Sequence, residues 1–272
     1  MSSTLVYTAL FGRYEPLAAQ IAKPEPGVDY ICFTDDPELK SDFWEIKIMN
    51  QLVPGDSTRS ARWPKIAGPL NVANYDRTLW IDNRIQLKER ATELIPWLLG
   101  GRQIGMFTHC HRKTVLDEFH AVRHGRFDNA ARIRETCNAI KRLRPETLAE
   151  APMWTAIIAR RSTPLIAESM QTWLAMVLRY SRRDQLSVNF SLGWHGIVAN
   201  AVQACNFNSE WHRWYTPEEL PKAVTERFSK NMRYSLTRHA LDDLTSTRVA
   251  RYLRRKVSPE GCSHQFSTEP NE

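Results

Sequence analysis

Three apolar residues, Leu79, Trp80 and Ile81, stop abruptly at a carboxylate, an amide and a guanidinium: Asp82, Asn83 and Arg84. A run this short and this apolar fits a central parallel strand buried on both faces. In open α/β sheets ligands gather at the carboxyl ends of the strands, so Asp82 falls where a metal or a phosphate would be held. Taken alone, Asp82 and Asn83 also suit a plain turn, because Asx side chains favour turns.

The pattern recurs upstream. Residues 5–11 form a β-rich apolar run that ends at Gly12, Arg13 and Tyr14. Residues 29–34 run into Asp35, Asp36 and Pro37, another acidic strand end, and residues 43–48 alternate as a third strand. The polar, proline-bearing segment 15–28 predicts a short helix between the first two. Strand, crossover, strand at this spacing specifies an α/β sheet. Downstream the pattern predicts a helix near 89–99, a strand over 104–107 and a charged helix over 114–144. A buried strand over 153–159 then ends at Arg160 and Arg161. Thr163 and Pro164 open the next helix, with Ile166, Met170, Trp173, Leu174, Val177 and Leu178 as its core stripe.

With 272 residues, 42% of them hydrophobic, the chain has material for one large domain or one domain with an appendage. No apolar run approaches the roughly 18–20 residues of a membrane span. The start, Met1-Ser2-Ser3-Thr4-Leu5, lacks the basic region of a secretory signal. Five scattered cysteines with no C-x-x-C pair point to a reducing cytoplasm. A net charge of +7 predicts attraction to polyanions, whether nucleic acid, anionic membrane or phosphate-bearing small molecules. Signatures of nucleic-acid modules and of a Gly-rich phosphate loop are both missing, which argues against nucleic acid and against a P-loop enzyme. Beyond Pro221 the composition shifts. The expected organisation is a domain over 1–220, a basic helical extension over 221–256 and a loose polar tail over 257–272. The extension is a solvated face or a peripheral contact for an anionic membrane.

Several side chains carry chemistry. Arg59, Arg62 and Lys65 precede the Asp82 strand, and Arg62 and Lys65 share a face if the segment is helical. Pro64 suits a first helical turn, and Pro69 limits that helix to little more than one turn. Such cations suit a diphosphate, since guanidinium forks match phosphate oxygens, although a solvated face is the plain alternative. His109, Cys110, His111 and Cys137 fit no structural zinc spacing, so a polar pocket wall is expected there. Asp184 serves as a helix N-cap. A carboxylate–amide pair, Asp184-Gln185, flanked by Arg182 and Arg183 is more than a cap requires.

An ordered set of blocks resembles a family of glycosyltransferase-like domains first catalogued as of unknown function. The family occurs in plant Golgi proteins linked to cell-wall pectin and mucilage and in bacterial surface-polysaccharide clusters. The blocks are residues 6–14, Phe33-Thr34-Asp35-Asp36, Ala61-Arg62-Trp63-Pro64-Lys65-Ile66 and Leu79-Trp80-Ile81-Asp82-Asn83. They continue with His109-x-x-Arg112, Asp117-Glu118 and Ser181-Arg182-Arg183-Asp184-Gln185-Leu186-Ser187, covering roughly residues 4–200.

The resemblance implies a GT-A-like fold, a mostly parallel nucleotide-binding α/β sheet flanked by helices, and a nucleotide-diphosphate sugar as donor. Relatives with an Asp-x-Asp element bind Mn²⁺ or Mg²⁺ there. Here Asp82 alone stands in that place, with Asn83 beside it, and is the implied metal ligand. Thr8, Tyr14 and Asp35 would hold the nucleoside, and Arg59, Arg62 and Lys65 the diphosphate. Similarity to glycogenin-like transferases, which carry an Asp-Gln pair opening a helix, makes Asp184 general base or oxocarbenium stabiliser and gives Gln185 a sugar hydroxyl. His109, Arg112, Glu118, Arg160 and Arg161 would line the side of a glycan or glycolipid acceptor. The expected setting is cytoplasmic, at the inner membrane face, in surface-polysaccharide synthesis. The alternative is a degenerate, non-catalytic fold that binds polyanions through its basic extension.

Overall fold

The computed structural model describes residues 3–68 and 74–215, all within a compact unit spanning residues 1–232. The extension over 221–256, the tail over 257–272 and the break expected at Pro69 lie outside the described residues. Seven strands form the main sheet in the order β3-β2-β1-β4-β7-β6-β8. They are β1 (Thr4–Leu10), β2 (Val28–Thr34), β3 (Glu45–Ile48), β4 (Arg77–Ile81), β6 (Ile104–Thr108), β7 (Met153–Arg161) and β8 (Asn200–Val202). Every pairing is parallel except those of β7, which runs antiparallel to both β4 and β6. The chain is thus an α/β protein with a mostly parallel central sheet, as expected. A two-stranded antiparallel ribbon pairs β5 (Ile85–Leu87) with β9 (His212–Trp214).

Alternation along β1 and β4 divides the core between the two faces of the sheet. Tyr7, Ala9 and Trp80 face one side, where they meet α1 (Ser57–Ala67), α5 (Pro164–Arg179) and α6 (Val188–Trp194). Val6, Leu10, Leu79 and Ile81 face the other, against α2 (Ala91–Leu99) and the ribbon. A smaller cluster joins α3 (Val115–His124) and α4 (Ala130–Leu143) to Leu186 and Phe190. Among the described residues, no helix is long and apolar enough to cross a membrane.

Four local expectations are corrected. Segment 15–28 is not helical. It runs alongside the start of the ribbon, with Ala18 N–H donating to Asn83 O and Ala22 N–H to Leu87 O. The third strand begins at Glu45, because Phe43 and Trp44 turn inward to pack edge-to-face against Tyr30. α1 is an eleven-residue helix that carries Pro64 in its interior, where the ring removes a hydrogen bond to Ser60 O. The charged helix over 114–144 is two helices, broken where Arg126 takes a left-handed φ of 53°. That break has a use. Asp128, buried within it, accepts from Ser181 Oγ at 2.6 Å and from Arg182 N at 2.8 Å, and so holds the loop ahead of Asp184.

Candidate active site

At the carboxyl end of β1, Gly12 has φ 77°, and a Cβ there would meet Ser57 Cβ at 2.7 Å. Only glycine lets the first residue of α1 approach so closely. Asp56 caps α1 by accepting from Arg59 N. The helix thereby points Arg62 and Lys65, three residues apart, over the carboxyl ends of β1 and β4.

There Lys65 Nζ lies 2.9 Å from Asp82 Oδ1 and 2.6 Å from Asp184 Oδ2. Asp82 Oδ1 also accepts from Trp80 Nε1 at 2.8 Å, and Asp184 Oδ2 from Thr155 Oγ1 at 2.9 Å. Arg62 Nε sits 3.3 Å from Asp184 Oδ1. Asp184 opens a 3-10 turn (Asp184–Leu186) rather than capping α6, and its carbonyl is fixed by the Trp173 indole N–H. The two acids therefore meet through one ammonium on the α1/α5 side of the sheet. Asp184 is 2% exposed, whereas the Asp82 side chain keeps 23% of its surface open.

Charge governs this cluster. Burial pushes the Asp184 carboxyl up, but Arg62, Lys65 and Arg183 outweigh it and hold the group well below the usual carboxylate range. Burial pulls the Arg183 guanidinium down, partly offset by Asp184, Glu118 and Asp82. Arg183 thus bridges toward a second cluster. There Glu118 is buried, with Arg112 Nε at 3.4 Å and His109 Nε2 at 3.8 Å. Burial raises the Glu118 carboxyl despite Arg183 and Arg112. Burial, Arg112, His111 and Arg183 together lower His109 to about 4. The buried Nε–H groups of Arg62 and Arg112 face carboxylates, Asp184 at 3.3 Å and Glu118 at 3.4 Å, without a well-aligned hydrogen bond, and the buried Nε–H of Arg183 has no acceptor. A buried donor needs a partner, and the Arg183 N–H is open to an incoming anion.

Other sequence-derived residues take up places around this centre. Tyr14 leaves 38% of its surface exposed but turns its hydroxyl inward, where burial and Glu15 raise it and Arg62 and Asp82 act on it. Asp35 accepts from Gly12 N at 2.8 Å and Gln51 Nε2 at 2.6 Å, so it shapes the β1 loop. Asn83 anchors segment 15–28 through Pro16 O. Gln185 Oε1 accepts from Arg183 Nη2 at 3.3 Å.

Four expected residues are not brought to the centre. Thr8 shares its face of β1 with Val6 and Leu10, opposite Tyr7, and is completely buried. Arg59 ties down the end of α5, donating to Val177 O and Tyr180 O while paired with Asp56. Arg160 and Arg161 lie at the wrong end of the sheet because β7 is antiparallel. They pair with Thr78 and Arg77 at the start of β4, while the other end of β7 brings Thr155 to the cluster. Arg160 is buried, its guanidinium lowered by burial to about 9, and it caps α1 through Lys65 O and Ile66 O. Sequence reasoning missed Arg183, Thr155, Trp80 and Asp128 as members of the site. Of these, Arg183 and Trp80 stood inside blocks that drew notice, Trp80 only as a buried strand residue.

Of the Asp82 carboxylate, where a divalent cation is expected, one oxygen is already occupied. Asp82 Oδ1 already takes the Lys65 ammonium and the Trp80 indole, and no three His, Cys, Asp or Glu side chains gather among the described residues.

No family model matches the chain, and no curated protein sequence matches it. Among solved structures it is similar to the apo form of WbbM, a bifunctional glycosyltransferase, at TM-score 0.43 and 11% identity over 85% of this chain. The chain spans 44% of that protein's length.

Proposed function

We propose that this protein is a glycosyltransferase that moves a sugar from a nucleotide-diphosphate donor to a glycan or glycolipid acceptor. The observation that carries the reading is the meeting of Asp82, at a strand's carboxyl end, with Asp184 under a roof of arginines. Departure of a nucleoside diphosphate leaves charge on its phosphates, and fixed cations in a water-poor site stabilise that charge by several kcal/mol, roughly. Arg183 has a buried N–H without an acceptor for this task, and Arg62, already paired with Asp184, adds its charge.

Held ionised by its ion pairs, Asp184 is a poor proton acceptor and a good fixed anion. Its role is to stabilise the positive charge that develops at the sugar's reacting carbon. Glu118, whose proton affinity is raised by burial, is the better choice for taking a proton from an acceptor hydroxyl. His109, neutral near pH 7, and Arg112 lie beside it to orient that acceptor. The setting we infer is surface-polysaccharide assembly at the cytoplasmic face of a bacterial membrane, with residues 221–256 as the membrane contact.

A thermal-shift screen of uridine and guanosine diphosphates tests the reading. A nucleotide at 100 times its Kd adds about 2.7 kcal/mol of stability, which is several degrees in Tm. No shift with any nucleotide diphosphate would overturn the proposal.

A further inference from the structure

Two carboxylates that converge in a site handling phosphate commonly share a divalent cation. Here the point between them is filled by part of the chain. Lys65 Nζ lies within hydrogen-bond distance of one oxygen of each acid, with Thr155 Oγ1 at 3.4 Å as a third oxygen partner. The lysine is completely buried and is gripped at both ends. Its carbonyl accepts from Arg160 Nη2 at 2.9 Å and from Tyr7 Oη at 3.3 Å, while its ammonium also lies 5.6 Å from the Trp80 ring centroid. The Trp80 indole N–H meets the same Asp82 oxygen, so both acceptor directions of that atom are occupied.

We propose that Lys65 stands permanently in the position of a divalent cation. On the glycosyltransferase reading above, the donor's diphosphate is then met by Arg62 and Arg183 and needs no metal. A metal ion at Asp82 would have to sit beside a buried ammonium, and like charges at that range repel strongly. The ammonium does for the two acids part of what a metal would do: with Arg62 beside Asp184 it offsets their charge, and it fixes their spacing. Lys65 touches no ligand in this scheme. It is a positioning residue, and its signature is the metal requirement of the site rather than activity alone.

The test uses the full chain. Titration with MnCl₂, followed by the paramagnetic resonance signal of the free ion, is expected to show no bound Mn²⁺. Stoichiometric binding that disappears in Asp82→Asn would overturn the proposal. Calorimetric titration with uridine and guanosine diphosphates is expected to give the same Kd, within twofold, in EDTA and in MnCl₂. Tightening by tenfold or more in MnCl₂ would overturn the lysine's role while leaving the glycosyltransferase reading intact. No binding in either buffer would sink that reading and the diphosphate half of this one, and the Mn²⁺ titration would still decide the lysine half. Lys65→Ala exposes the two acids to each other. It is expected to melt several degrees lower than the parent and to regain part of the loss in MnCl₂, which leaves the parent unmoved. A folded Lys65→Ala that ignores Mn²⁺ counts against the proposal. If that variant does not fold, the two measurements on the parent chain decide.

Discussion

Lys65 and Asp184 form a buried ion pair, Nζ to Oδ2 2.6 Å, that ties α1 to the turn after α5. Breaking a buried pair from one side leaves its partner uncompensated, at a cost of about 3–5 kcal/mol. Asp184→Asn retains the hydrogen bond from Thr155 but leaves Lys65 with Asp82 as its one carboxylate and Arg62 without its acid. The expected outcome is a loss near the lower end of that range in urea denaturation. Sugar transfer is expected to fall by two orders of magnitude or more, about 3 kcal/mol of transition-state stabilisation. Undiminished transfer would remove Asp184 from the reaction.

Arg59 offers the opposite test, because its position in sequence suggests a diphosphate ligand and its contacts are structural. All three directions of its guanidinium are taken by Asp56, Val177 O and Tyr180 O. Hydrogen bonds from a charged donor contribute about 1.5–3 kcal/mol. Arg59→Ala is expected to lower stability by about that amount, while the nucleotide Kd stays within twofold by calorimetry.

The contrast between Arg59 and Arg62 shows what the sequence encodes. Apolar runs that stop at Asp35 and Asp82 announce strand ends, and those strands form where the pattern places them, since burial on both faces leaves no other use for such runs. A helical face is likewise readable for Arg62 and Lys65. Direction is not readable: nothing in residues 153–161 distinguishes a parallel from an antiparallel strand, so Arg160 reads as a site residue although the strand carries it to the far end. Partners distant in the chain are equally hidden. Arg59 finds the end of α5, and Asp128 finds the loop before Asp184, through contacts that exist only once the helices pack. Pro64 misleads in a third way, because tertiary packing of α1 against α5 tolerates a residue that local propensity would place at a helix start.

His109 sets a pH dependence. Its imidazole is lowered from an ordinary value near 6.5 to about 4, with burial as the main cause. Between those values the unfolded chain holds a proton that the folded chain does not, so stability falls as pH drops from about 6.5 toward 4. The upper limit of the effect is about 3 kcal/mol. Urea denaturation at pH 7 and pH 5 is expected to show a smaller difference for His109→Asn than for the parent chain. An equal difference would mean that His109 titrates normally in the folded state.

On the proposed function, Arg183 is the residue on which anion binding is expected to depend most. Its guanidinium lies 5.3 Å from the Phe127 ring centroid, is held by Gln185 Oε1 and keeps a buried Nε–H without an acceptor. The loop that carries it is pinned by Asp128, so the group is held in place before any ligand arrives. Arg183→Ala removes the fork and is expected to weaken nucleotide-diphosphate binding by about 10–100-fold, the equivalent of one or two charged hydrogen bonds. Arg183→Lys keeps the charge but not the planar geometry, so it is expected to recover only part of that loss. Asp128→Asn leaves Arg183 present but loosens its loop, and the expected result is an intermediate loss of affinity together with a lower Tm. Calorimetry on the three variants separates charge, fork and placement. If Arg183→Ala binds the nucleotide as the parent does, the unpartnered N–H is not a ligand site and the anion must be held elsewhere.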